Sequence, residues 1–121
     1  MSHRQLDPDD IRPYCPYYAT AMDTLSRRWA ATVLRALLGG ATRFSDIAAA
    51  IPGMTDKLLS QRLKDLEADG LIERHVRSTT PVRVDYRLTE KGAALGAVLL
   101  DLNRWALEWI ILPATPPEGQ G

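Results

Sequence analysis

The sequence predicts a mainly α-helical fold with one small β-hairpin, and three observations lead there. Apolar residues recur at helical spacing through most of the interval from 17 to 112. One stretch, "LIERHVRSTTPVRVDYRL", breaks that period and alternates instead. The last segment, Glu90 to Leu112, is apolar on nearly every side. A chain of 121 residues is too short for two ordinary domains, so a single core is expected. Its 45% apolar and 25% charged residues are the balance of a folded globular chain and not of a disordered one.

The elements follow in order. Residues 1–16, "MSHRQLDPDDIRPYCP", are polar and interrupted by Pro8, Pro13 and Pro16, which reads as an extended arm. The folded domain is expected over 17–112. "YYATAMDTL" starts it as a short helix, and "RRWAATVLRALL" follows with Trp29, Val33 and Leu37 at helical spacing until Gly39 and Gly40 stop it. "TRFSDIAAAI" makes a third helix through Phe44, Ile47 and Ile51, with Thr42 as its expected cap. After the "PGMT" turn, Thr55 caps a fourth helix that ends at Gly70. "LIERHV" and "VRVDYRL" then pair as strands around the polar turn "RSTTP". In the second strand Val82, Val84, Tyr86 and Leu88 face the domain, and Arg83, Asp85 and Arg87 form a basic outer face. Residues 113–121, "PATPPEGQG", are expected to be a disordered tail.

Charge narrows the function. Lys plus Arg equals Asp plus Glu at 15 each, so no overall field draws the chain to nucleic acid or an anionic membrane. Binding to DNA must come from a local arrangement. One such arrangement exists on the fourth helix. Leu58, Leu59, Leu63 and Leu66 share one arc of its wheel and must face the domain, while Lys57, Gln61 and Lys64 point away with Ser60 beside them. Asp65, Glu67 and Asp69 crowd the C-terminal half, where they oppose the helix dipole.

Two short helices joined by a tight turn, the second with a basic and amide-bearing face, match a helix-turn-helix that enters a DNA major groove. Gln61 suits an adenine edge, Lys57 and Lys64 suit guanine or phosphate, and Thr55 at the helix start suits phosphate. Arg62 lies near the apolar arc, so contact with phosphate and a packing or salt-bridge role both remain open. The hairpin supplies a second element, a wing whose tip offers Arg77, Ser78, Thr79, Thr80 and Arg83 to the DNA backbone or minor groove.

In the terminal helix, 90–112, Leu95, Leu99, Leu102, Ala106 and Trp109 recur in steps of four, three, four and three, a coiled-coil-like seam. A small domain does not easily wrap such a helix, so a second copy of the same helix is the expected cover, in a two-fold interface. Trp29, Trp105 and Trp109 are expected to have core roles. The alternative for them is lining a cavity for a small-molecule effector between the terminal helix and the first helices.

Together these elements resemble the HxlR family of bacterial winged helix-turn-helix transcription regulators. The likeness runs from about Cys15 to Trp109. It rests on "CP" at 15 and 16, Trp29, "RFSDI" at 43–47, "IPGMTDKLLSQRLKDLEADGLIER" at 51–74, "RVDYRLTEKG" at 83–92 and the apolar last helix. It departs at "SRRW", Ser26 to Trp29, where a Gly-Gly-Lys-Trp pattern is usual. The resemblance implies a homodimer on a near-palindromic operator, with its two reading helices roughly 34 to 36 Å apart, repressing or activating nearby genes. Some members of the family sense oxidants or electrophiles through a cysteine at the position of Cys15. For this chain the preferred alternative is a buried cysteine near the dimer interface.

Other classes find less support. A single cysteine excludes an intrachain disulfide, and His3 and His75 lie too far apart in sequence for a structural zinc site, so no metal or cofactor is expected. No nucleophile–base pair or phosphate-cradling glycine loop suggests an enzyme. No apolar run is long enough for a membrane span, and the cytoplasm is the expected compartment. A winged-helix module that binds only protein is the competing function, favoured by the zero net charge.

Overall fold

The computed structural model describes residues 13–113. The expected arm up to residue 12 and the tail from residue 114 lie outside the described residues. Five helices and one hairpin follow in the order α1 (Pro16–Ser26), α2 (Ala30–Leu38), α3 (Phe44–Ala50), α4 (Asp56–Ala68), β1 (Ile72–Arg77), β2 (Arg83–Leu88) and α5 (Glu90–Trp109). The fold is that of a winged helix-turn-helix, as the sequence predicts.

One core joins α2, α3, α4, the start of β1 and the middle of α5. Val33, Leu34, Ile47, Ile51, Leu59, Leu63, Leu66, Ile72 and Leu99 are buried in it. These are the residues at helical spacing in each segment, because burying one stripe per helix is what stabilises short helices that are marginal alone. Phe44 and Trp29 pack against the same cluster, half-buried.

The helix ends follow local chemistry. At the end of α4, Gly70 has φ 77°, its N–H donates to Glu67 O, and the Leu71 N–H donates to Leu66 O. This paired closure needs a left-handed residue, which glycine supplies without steric cost. α2 does not include Trp29, which sits before it with φ 72° in the left-handed region. Thr42 does not cap α3, since Arg43 holds the N-cap position without a side-chain bond. The Thr42 carbonyl accepts the Tyr86 N–H at 2.8 Å instead, tying β2 to the loop before α3.

β1 and β2 pair antiparallel from Ile72 opposite Leu88 to Arg77 opposite Arg83. Tyr86 and Leu88 pack on the core as expected. Two expectations for β2 are corrected. Val82 lies before the strand and is exposed, and Asp85 is no part of a solvated outer face, being only 1% exposed.

α5 docks through its first turns. Thr89 Oγ1 accepts the Gly92 N–H at 3.0 Å and donates to Gly70 O at 2.6 Å, while Lys91 Nζ donates to Asp69 O at 2.6 Å. The "TEKG" segment thus caps α5 and supplies the cation that the acidic end of α4 lacks. Helix α5 stops at Trp109, short of the expected residue 112.

Candidate nucleic-acid interface

Helix α4 is held from below by Leu59, Leu63 and Leu66, so its opposite side is fixed outward. Thr55 accepts the Leu58 N–H at 3.1 Å and is exposed, which leaves its hydroxyl engaged as the helix cap. Lys57, Gln61 and Lys64 are exposed and Ser60 is half-buried. The Gln61 amide donates to Asp65 at 3.0 Å, so a bidentate contact with a base would require it to leave that carboxylate.

Arg62 is turned the other way. Its Nε donates to Arg28 O at 2.7 Å and its Nη1 pairs with Asp65 at 2.9 Å, with the side chain 17% exposed. It ties α4 to the turn between α1 and α2. That turn holds Ser26 and Arg27, where the resemblance leads one to expect glycines, and neither sits at positive φ. Only Trp29 does, and the Arg28 guanidinium lies 5.5 Å from its ring centroid.

The wing flanks α4. Ser60, Lys64, Glu67, Arg74 and Tyr86 line one hollow of about 370 Å³ between the two elements. Arg74 therefore belongs to the same surface as Lys64, and sequence reasoning missed it. Its signal was available in the strand register, which places Arg74 opposite Tyr86 and so on the side of the hairpin that meets α4. A second hollow of about 600 Å³ lies between the wing tip, Thr79 to Val84, and the start of α3 at Arg43 and Ser45. Arg43 and Ser45 were also missed.

Arg77 and Arg83 project at the wing tip, paired across the strands. Arg83 donates its Nε to Asp85 Oδ1 at 3.0 Å, and Arg77 forms an ion pair with Oδ2, its Nε 3.0 Å away. The hydrogen bond from Arg83, with the charges of Arg83, Arg77 and Arg87, holds the Asp85 carboxyl below its ordinary range against the opposing effect of burial. Ser78, Thr79 and Thr80 are exposed between them.

The predicted dimer seam divides. Leu99 is buried and Leu95 half-buried in their own domain, so they are corrected to core residues. Leu102 and Trp109 are exposed, Ala106 is half-buried, and Val98 and Trp105 complete the outward stripe. The expected core roles of Trp105 and Trp109 are likewise corrected, since they are 54% and 68% exposed. Helix α1 adds exposed Tyr17, Tyr18 and Met22, and Tyr14 just before it is exposed too. A cleft of about 400 Å³ runs between α1 and α5, lined by Tyr17, Ala21, Thr24, Leu95 and Val98 among others, and not by the three tryptophans. Cys15, half-buried with a free thiol, heads α1.

Among the described residues no group of His, Cys, Asp and Glu is placed to hold a metal ion. No described helix is long and apolar enough to cross a membrane.

A compact helical core, an outward basic helix after a tight turn and a flanking two-stranded wing define a helix-turn-helix protein of the transcription-regulator class. The family model described as HxlR-like helix-turn-helix matches residues 24–112, and the chain belongs to that family. It is 48% identical over 96 residues to the HTH-type transcriptional regulator YvaP of Bacillus subtilis, covering 79% of this chain and 89% of YvaP. It is 42% identical over 92 residues to the regulator YodB of the same organism, covering 76% of this chain and 82% of YodB. Among solved structures, reduced YodB matches with a TM-score of 0.72 and 40% identity, over 80% of this chain and 95% of that one. The redox regulator HypR in its oxidized form matches with a TM-score of 0.71 and 30% identity, over 81% of this chain and 100% of that one. YodB has also been solved diamide-treated and quinone-bound.

Proposed function

We propose that this protein is a sequence-specific DNA-binding repressor that acts as a homodimer on a near-palindromic operator. The observation that carries this reading is the two-sidedness of α4. Its leucines are locked into the core, while Lys57, Ser60, Gln61 and Lys64 face outward beside Arg74 of the wing. Helix α4 enters the major groove with Lys57 and Lys64 on phosphate or guanine, and the wing tip lies along the adjoining backbone. Arg62 acts from behind, by fixing α4 to the Arg28 turn. Thr55 contributes through the helix start it caps. The exposed stripe Val98, Leu102, Trp105 and Trp109 is the dimer surface, and pairing sets the spacing of the two α4 helices.

The test is selection of bound fragments from genomic DNA, followed by titration of the selected site at rising salt. Affinity is expected to fall steeply with salt, with a slope reduced by about two in the double variant Lys57→Ala, Lys64→Ala. No salt-sensitive binding to any fragment overturns the proposal and favours a protein-binding module instead.

The likeness to YodB and HypR supports a second layer, modulation of operator binding by an oxidant or electrophile at Cys15. The route is short in this chain. Cys15 heads α1, and at the other end of that helix Thr24 and Arg27 reach the Asp69 carboxylate at the end of α4, Arg27 at 3.0 Å. A quinone or diamide is expected to change operator affinity in the wild type and not in Cys15→Ser. An equal response in both removes Cys15 from the mechanism.

A further inference from the structure

We propose that Asp85 is a positioning residue for DNA recognition, which holds Arg83 by its Nε and Arg77 by an ion pair so that the outer Nη donors of both meet the DNA backbone. The inference rests on the DNA-binding reading above and goes beyond it by assigning a role to a carboxylate at a surface meant for a polyanion.

Three observations carry it. Asp85 is 1% exposed, although it lies on the wing, where an exposed acid would cost nothing to solvate. Both of its oxygens are engaged by arginine, Oδ1 by a hydrogen bond from Arg83 Nε and Oδ2 by an ion pair with Arg77, each at 3.0 Å. The two arginine side chains nevertheless remain 48% and 39% exposed. A guanidinium has five N–H donors in a rigid plane, so the Nε hydrogen bond of Arg83 fixes its plane and leaves the outer Nη edge directed away from the carboxylate, while the ion pair holds Arg77 beside it. The register sets Arg77 directly opposite Arg83, which puts both forks at the same end of the hairpin. A long flexible cation loses rotamer freedom when it binds phosphate, and here that loss is made in the free protein.

The sign of the effect makes the proposal testable. Removing a negative charge near DNA strengthens binding by simple electrostatics, whereas loss of the positioning group weakens it. Affinity for the selected operator is to be measured for the wild type, Asp85→Asn, and the double variant Arg77→Lys, Arg83→Lys, with thermal unfolding of each. Asp85→Asn is expected to bind about tenfold more weakly or worse at the same salt. The double lysine variant keeps every charge and all of Asp85, and is expected to lose as much, because one ammonium does not present two ordered donor edges. Binding by Asp85→Asn that equals or exceeds the wild type overturns the proposal, and so does wild-type affinity in the double lysine variant. Where Asp85→Asn fails to fold, the lysine variant decides. A wild-type protein without salt-sensitive binding refutes the DNA reading and this role together, whereas a wild type that binds beside unaffected variants refutes only the role of Asp85.

Discussion

At the scale of single residues, two charged groups do work that their type does not announce. Trp29 holds a left-handed backbone, which for a bulky residue costs roughly 1 to 3 kcal/mol and persists only where neighbours impose it. Arg62 is such a neighbour, through its bond to Arg28 O. Arg62→Ala is expected to lower stability by about 1 to 3 kcal/mol in urea unfolding, while the salt slope of operator binding changes little. A drop in slope of about one would instead place Arg62 on a phosphate. Asp85 gives a pH dependence whose sign follows from its lowered pKa. Its stabilisation is complete above the unfolded value near 3.8 and is lost as pH falls through the lower folded value. The groups around it are Arg77, Arg83 and Arg87, with His75 paired opposite. Amide exchange in the hairpin is therefore expected to accelerate below that range in the wild type, and to be insensitive to pH there, after correction for intrinsic rates, in Asp85→Asn.

At the scale of elements, the junction of α4, β1 and α5 sets the angle of the wing to the reading helix. Gly92 is the closest point. A Cβ there would lie 1.9 Å from the Leu71 carbonyl oxygen, a backbone atom that cannot rotate aside. Gly92→Ala is expected to lower stability by at least about 1 to 3 kcal/mol, as overpacking does. At Gly96 an added Cβ meets only the Leu38 side chain, at 3.1 Å, so Gly96→Ala is expected to cost less. Parallel thermal unfolding of the two variants checks this order, and equal losses would place the sensitivity in the helix and not in the junction. The same junction explains the acids at the end of α4. Asp65 pairs with Arg62, and Asp69 pairs with Arg27 while its carbonyl takes Lys91. They oppose the dipole, but Asp69 ties the end of α4 to the end of α1 and to the start of α5.

At the scale of the whole molecule, the exposed face of α5 is the dominant unexplained surface among the described residues. Val98, Leu102, Trp105, Leu107 and Trp109 are each more than half exposed, in addition to the α1 tyrosines. Apolar area of this kind is normally buried between partners. Sedimentation of the wild type is expected to give a dimer at micromolar concentration, and Trp105→Glu with Trp109→Glu a folded monomer with at least about tenfold weaker operator binding. A dimer that survives both changes moves the interface elsewhere.

Much of this protein was legible in the chain itself. The periodic leucines of α4, the stop at Gly70, the alternation of β2 and the outward Lys57, Gln61 and Lys64 depend on spacing along one element, which the sequence carries directly. What tertiary structure alone decided involves pairs distant along the chain or hidden by a shared residue type. Leu95 and Leu99 differ from Leu102 only in whether α2 and the core lie behind them. Arg62 could be assigned only once Arg28 O stood 2.7 Å away, from 34 residues earlier. Asp85 alternates like an outward residue, yet two arginines and the wing close over it. Periodicity says which residues share a face, and only packing says what each face meets.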